Sequence, residues 1–116
     1  MHETGIAAEI LDIAEREAAR RGAASIASIS VQVGDLSGVV AEALEFAFEA
    51  LSAGTPAAGA RLNIQKIPVR ARCPHCRSEV LPGCDLVLWC ANCGLPLDVV
   101  AGRELQVQSL ELVEAQ

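Results

Sequence analysis

Residues 73–93 read CPHCRSEVLPGCDLVLWCANC: two Cys-x-x-Cys pairs, Cys73 with Cys76 and Cys90 with Cys93, separated by thirteen residues. Each pair lets one tight turn aim two thiolates at a common centre, and a short hairpin in the connecting segment brings the pairs together as a tetrahedron. Zn(2+) accepts four thiolates without redox chemistry, and such a closed site leaves no open position for a substrate. The interval from about Arg70 to Gly102 also carries Pro74, Pro82, Gly83, Gly94 and Pro96, too much punctuation to extend helix or sheet unbroken. About thirty residues with Val80, Leu86, Val87, Leu88 and Trp89 cannot assemble a self-sufficient core. Metal binding on the order of 10 kcal/mol, as in zinc-finger peptides, supplies what packing lacks.

On either side of this interval the apolar periodicity changes. From Thr4 to about Arg21, Ile6, Ile10, Ile13 and Ala14 recur at helical spacing among Glu9, Glu15, Arg16 and Glu17, and Gly22 is a stop signal. In SISVQVG, residues 28–34, Ile29, Val31 and Val33 alternate with Ser28, Ser30 and Gln32 at strand period. The turn DLSG offers Ser37 as an N-cap for a second helix with the stripe Val40, Leu44, Ala47, Phe48 and Leu51, ending at Gly54. After the loop AGTPAAG, Leu62 and Ile64 mark another strand. Leu105 and Val107 mark a third, running from about Arg103. Between Val107 and Leu110 the apolar phase slips by one residue, which predicts a bulge or bend. The expected fold is α+β: two helices on a three-stranded mixed sheet, with a small zinc-ribbon-like domain inserted. The expected boundaries are 1–70 and 101–116 for the main domain and 71–100 for the insertion.

The formal charge of −6 and pI near 4.8 argue against a polyanionic partner, since phosphate contacts need clustered Lys and Arg. Arg70, Arg72, Arg77 and Arg103 are largely offset by Glu79, Asp85 and Asp98, and aromatic residues make up 3% of the chain, too few for a base-stacking platform. A zinc-ribbon nucleic-acid- or protein-binding module is thus the lesser alternative, and no nucleic acid is expected. No window reaches membrane-spanning length, and the acidic first twenty residues lack the pattern of a secretory signal. Reduced thiols and a cytoplasmic location are the expectation.

CPHC alone also matches the reactive centre of a thioredoxin-like oxidant, a chemistry that needs the first cysteine at a helix N-terminus. Pro82 and Gly83 follow too soon for such a helix. His75 is a bystander or a substitute ligand, and Cys84, a fifth thiol, is a small semi-buried residue near the hairpin turn, or else reactive or metal-binding. At the start of the chain, the Met1 amine, the His2 amide and imidazole, and the Glu3 amide lie in series. Ni(2+) and Cu(2+) favour square-planar nitrogen sets of that kind, whereas Zn(2+) does not. The other reading of His2 is an exposed residue at a frayed terminus.

MHETGIA, VGDLSGVVAEALEFAFEALSAGTP, the CPHC and CANC pairs and the closing GRELQVQSLEL together resemble the HypA/HybF family of nickel metallochaperones for [NiFe] hydrogenase maturation, across essentially the whole chain. The resemblance implies a non-enzymatic carrier of Ni(2+) with a structural Zn(2+), working with the GTPase HypB and the hydrogenase large subunit. It implies His2 as the essential nickel ligand, Glu3 as the neighbouring acidic position beside the Met1 amine, and Cys73, Cys76, Cys90 and Cys93 as the zinc thiolates. Family members often read Leu-Ser after Met-His-Glu where this chain has Thr4 and Gly5, and glycine there loosens a first helical turn. A monomer and a homodimer are both compatible with the sequence.

Overall fold

The computed structural model describes residues 3–80, 82 and 88–114. Helix α1 (Glu3–Arg20) buries Ile6, Ala7, Ile10, Ala14 and Ala18 as one stripe at helical spacing. It runs through Gly5 and ends at Gly22, whose φ of 65° is the left-handed conformation glycine adopts freely. Strand β1 (Ala23–Gly34) follows, then helix α2 (Ala41–Ser52) and strand β2 (Arg61–Ile67). Three short strands come next, β3 (Arg70–Arg72), β4 (Glu79–Val80) and β5 (Asp98–Ala101), before the long strand β6 (Leu105–Glu114).

Among the described residues these form two three-stranded sheets, ordered β2-β1-β6 and β4-β3-β5. In the first, β2 runs parallel to β1, which requires the α2 crossover, and β6 runs antiparallel on the other side. Both helices pack over this mixed sheet and against each other, enclosing Ile29, Val31, Leu44 and Phe48. The opposite face is polar: the Gln106 amide donates to the Gln32 carbonyl oxygen at 2.7 Å, and the Gln32 amide donates to Gln65 at 3.4 Å. That glutamine row crosses all three strands.

The expected phase slip is a bulge. Ser30 pairs with Ser109 and Val31 with Val107, so Gln108 is the extra residue. Similar slips between Ala23 and Ser25 and between Ile26 and Ser28 explain why β1 is longer than the expected 28–34. Buried Ile26 and Ile29 stand three apart, which breaks the alternation that marks a strand in sequence.

Three other expectations need correction. Ser37 does not cap the second helix: its Oγ accepts the Val39 N–H at 3.3 Å in the preceding turn, and α2 begins after Val40, which has no side-chain cap of its own. Val40 is 54% exposed and Leu51 also faces outward, so the inward stripe of α2 narrows to Leu44, Ala47 and Phe48. Ile13 is 46% exposed: it lies on the margin of α1 nearest β6, where an open groove runs between it and Val107, Leu110 and Leu112. The hairpin expected between the cysteine pairs falls largely on residues 81 and 83–87, outside those described; Glu79–Val80 pairs with β3.

The two sheets meet at a tight backbone crossing. Gly34 N–H donates to the Glu104 carbonyl at 2.7 Å, Leu36 N–H to Gly102 at 2.7 Å and Asp35 N–H to Ile67 at 2.9 Å. A Cβ on Gly34 would stand 2.1 Å from the Gly102 carbonyl oxygen, so no larger residue fits. The radius of gyration, 17.9 Å, exceeds the roughly 13 Å of a compact chain of this length, and the extents of 60 × 24 × 16 Å describe an elongated molecule.

Candidate metal centres

The two cysteine turns repeat one hydrogen-bond pattern. In the first, Arg77 N–H donates to the Cys73 carbonyl at 2.7 Å and Cys73 N–H to Ser78 at 3.0 Å. In the second, Gly94 N–H donates to Cys90 and Cys90 N–H to Leu95, both at 2.8 Å. Each turn closes through a residue at positive φ, 60° for Arg77 and 68° for Gly94. This is how the Cys-x-x-Cys spacing acquires its shape: the carbonyl of the first cysteine is held by the residue just past the second. A bridge between Trp89 and Pro96 and the Leu97 N–H donating to Leu88 at 2.8 Å fasten the base of the second turn.

All four thiol sulfurs lie within 4.8 Å of one another, and Cys76 Sγ stands 3.8 Å from Cys90 Sγ across the two turns. Tetrahedral Zn–S bonds of about 2.3 Å set S···S edges of about 3.8 Å, so the donor set fits zinc in number, type and spacing. Cys73 and Cys90 are buried, while Cys76 is exposed and Cys93 partly so. The Ser78 hydroxyl and backbone, together with Cys73 and Cys90, lower the Cys76 thiol to about 6. Burial and the neighbouring thiols push Cys93 up to about 12. The thiols therefore compete for ionisation, and a central dication removes the competition by favouring the thiolate at every position. Bound zinc would supply a fixed, closed crosslink between the turns.

Each cysteine expected at the metal is in this group. His75 is exposed and is not one of its members, in keeping with a bystander. No helix follows Cys73; a turn leads to β4, so the geometry of a thioredoxin-like oxidant is absent from these residues. Cys84 lies outside the described residues. Ser78, the hydrogen-bond partner of Cys76 at 3.4 Å, was not singled out in the sequence, where its place two residues after a ligand is the available sign.

Met1 and His2 also lie outside the described residues. Glu3 opens α1, and its Oε2 accepts the Val40 N–H at 3.2 Å. A carboxylate from one helix thus meets the start of another helix whose own first residue offers no cap, a favourable place for negative charge. This long-range contact had no signature in the sequence. The quartet and the start of α1 belong to different parts of the chain.

The sequence profile of the family described as "HypA: Hydrogenase/urease nickel incorporation, metallochaperone" matches residues 1–112. The chain is 41% identical over 112 residues to the hydrogenase maturation factor HypA of Chloroflexus aggregans, covering 96% of this chain and 98% of that one. It is 43% identical over 113 residues to the same factor of Geobacter sulfurreducens, covering 97% and 99%. The fold is similar to the solution structure of the Ni metallochaperone HypA from Helicobacter pylori, with TM-score 0.69 and 22% identity over 99% of this chain and 100% of that one. A second solution structure, of a HypA protein, gives TM-score 0.75 and 23% identity over 99% and 98%. Among the described residues, no helix is long and apolar enough to cross a membrane. With its two-layer body, its four-thiol zinc centre and a profile match over nearly its whole length, the chain belongs to the HypA family of nickel-incorporation metallochaperones, which are maturation factors and not enzymes.

Proposed function

We propose that this chain binds Ni(2+) at its N-terminus and delivers it in the cytoplasm during [NiFe] hydrogenase maturation, working with the GTPase HypB and the hydrogenase large subunit. The ligands are the His2 imidazole, the Met1 amine and the backbone amides of His2 and Glu3. The observation that carries this reading is the match to a nickel-incorporation family beginning at residue 1. The position of α1 supports it: the first amides of a helix have no intrahelical acceptor, so metallating the Glu3 amide breaks no helical hydrogen bond. A planar set of nitrogens suits Ni(2+), and an end-of-chain chelate permits release one ligand at a time.

In the same reading, Cys73, Cys76, Cys90 and Cys93 hold a structural zinc ion in an inserted domain of residues 71–100, while 1–70 and 101–116 form the nickel-binding domain. Imidazole and amide nitrogens must lose protons to bind, so nickel affinity falls as pH falls through the histidine range. Ni(2+) titrations of the native-start protein, of His2→Ala and of a variant extended before Met1 test the site. Both changes are expected to abolish tight binding, and equal affinity in all three would remove the N-terminal site.

A further inference from the structure

Phe46 is 75% exposed, although the chain has only two phenylalanines and one tryptophan. It stands mid-way along α2 on the side opposite Phe48, which is 2% exposed in the core. Its ring borders a cleft of about 400 Å³ that also touches Ala43, Ala50, Leu51 and the first turn of α1. Isolated apolar residues on a surface need no explanation, but an open ring among small residues beside a concavity forms a contiguous contact surface.

The charge around it selects an occupant. Glu42 and Glu49 flank Phe46 at helical spacing, Glu45 adjoins it, and α2 contains no Lys or Arg. Among the described residues no ion pair reaches these three carboxylates, whereas α1 ties Asp12 to Arg16 and Glu17 to both Arg20 and Arg21. We infer that this face of α2 docks a protein partner through a cationic amphipathic segment, an apolar side chain entering the cleft beside Phe46 while Lys or Arg meets Glu42, Glu45 and Glu49. A second copy of a chain of net charge −6 would set carboxylates against carboxylates across a two-fold, and an anionic membrane would be repelled in the same way. The surface does not depend on which atoms hold nickel.

The test uses full-length zinc-loaded protein and three labelled synthetic peptides: leucines and lysines at helical spacing, the same leucines with glutamates, and the same lysines with alanines. Only the first is expected to bind by fluorescence anisotropy, with amide shifts centred on Ala43–Ala50 in NMR spectra. Phe46→Ala should weaken it at least about tenfold, and replacing Glu42, Glu45 and Glu49 by Gln should remove most of the salt dependence. Equal binding of the glutamate or alanine peptide, shifts confined to other surfaces, or indifference to Phe46→Ala would overturn the inference. So would a dimer in sedimentation equilibrium that Phe46→Ala dissociates, because the occupant would then be another copy.

Discussion

Around β1, twelve buried residues form a continuous apolar core, from Ile6 on α1 through Ile29 on the sheet to Phe48 on α2 and Ala57 beyond it. Around β3, the buried cluster among the described residues is Ala71, Cys73, Cys90 and Leu97, and two of these four are cysteines. The first body removes enough apolar surface from water to hold itself together. The second has strands of two to four residues and encloses its thiols where a larger domain would place leucines. One chain thus uses two stabilising devices side by side, and they should respond to different insults.

The largest separation should come from the metal. Cys90→Ala removes a buried ligand, and with it binding energy on the order of 10 kcal/mol; zinc content should fall to near zero and NMR dispersion of residues 70–101 should collapse while that of α1 and β1 persists. Full zinc retention would contradict the four-thiolate centre. The converse perturbation is Leu44→Ala, at a fully buried side chain of the apolar body. It should cost about 2–5 kcal/mol in urea unfolding without changing zinc stoichiometry in the folded state.

A finer contrast lies within the metal module. Gly94 and Arg77 occupy equivalent left-handed positions, one held by the residue suited to it and one not. Gly94→Ala should destabilise by about 1 kcal/mol, whereas Arg77→Gly should relieve strain and slow zinc loss to a chelator. Faster zinc loss from Arg77→Gly, or no cost for Gly94→Ala, would show that the turns are not equivalent. The smallest effect belongs to the surface of α1. Arg20 and Arg21 hydrogen-bond the Glu17 carboxylate and hold its pKa at about 2, below its ordinary 4.5. That contribution is complete above the ordinary value and is lost as pH falls from there through about 2. Glu17→Gln should therefore lower Tm slightly at neutral pH, and the difference from the parent should vanish in strong acid.

The same contrast explains how much could be read from the sequence. The metal module was legible because ligand chemistry is local: two pairs of cysteines at fixed spacing specify turn, donor set and ion together. The apolar body was legible where periodicity was undisturbed, as in Ile29, Val31 and Val33, and even the Gln108 bulge left a phase slip. Ser37 misled because a serine can serve the turn before a helix as readily as its cap. Ile13, Val40 and Leu51 misled for a tertiary reason: helical spacing gives the angle of a side chain, not whether anything covers it. The Glu3–Val40 contact joins residues 37 positions apart, a distance no local pattern spans.

The most direct test of the proposal that zinc and nickel occupy separate sites counts both metals at once, by native mass spectrometry of untagged protein exposed to Zn(2+) and Ni(2+). The parent should carry one ion of each, His2→Ala should keep zinc and lose nickel, and Cys90→Ala should lose zinc and keep nickel. Nickel retained by His2→Ala, or lost only with the cysteine substitution, would contradict it.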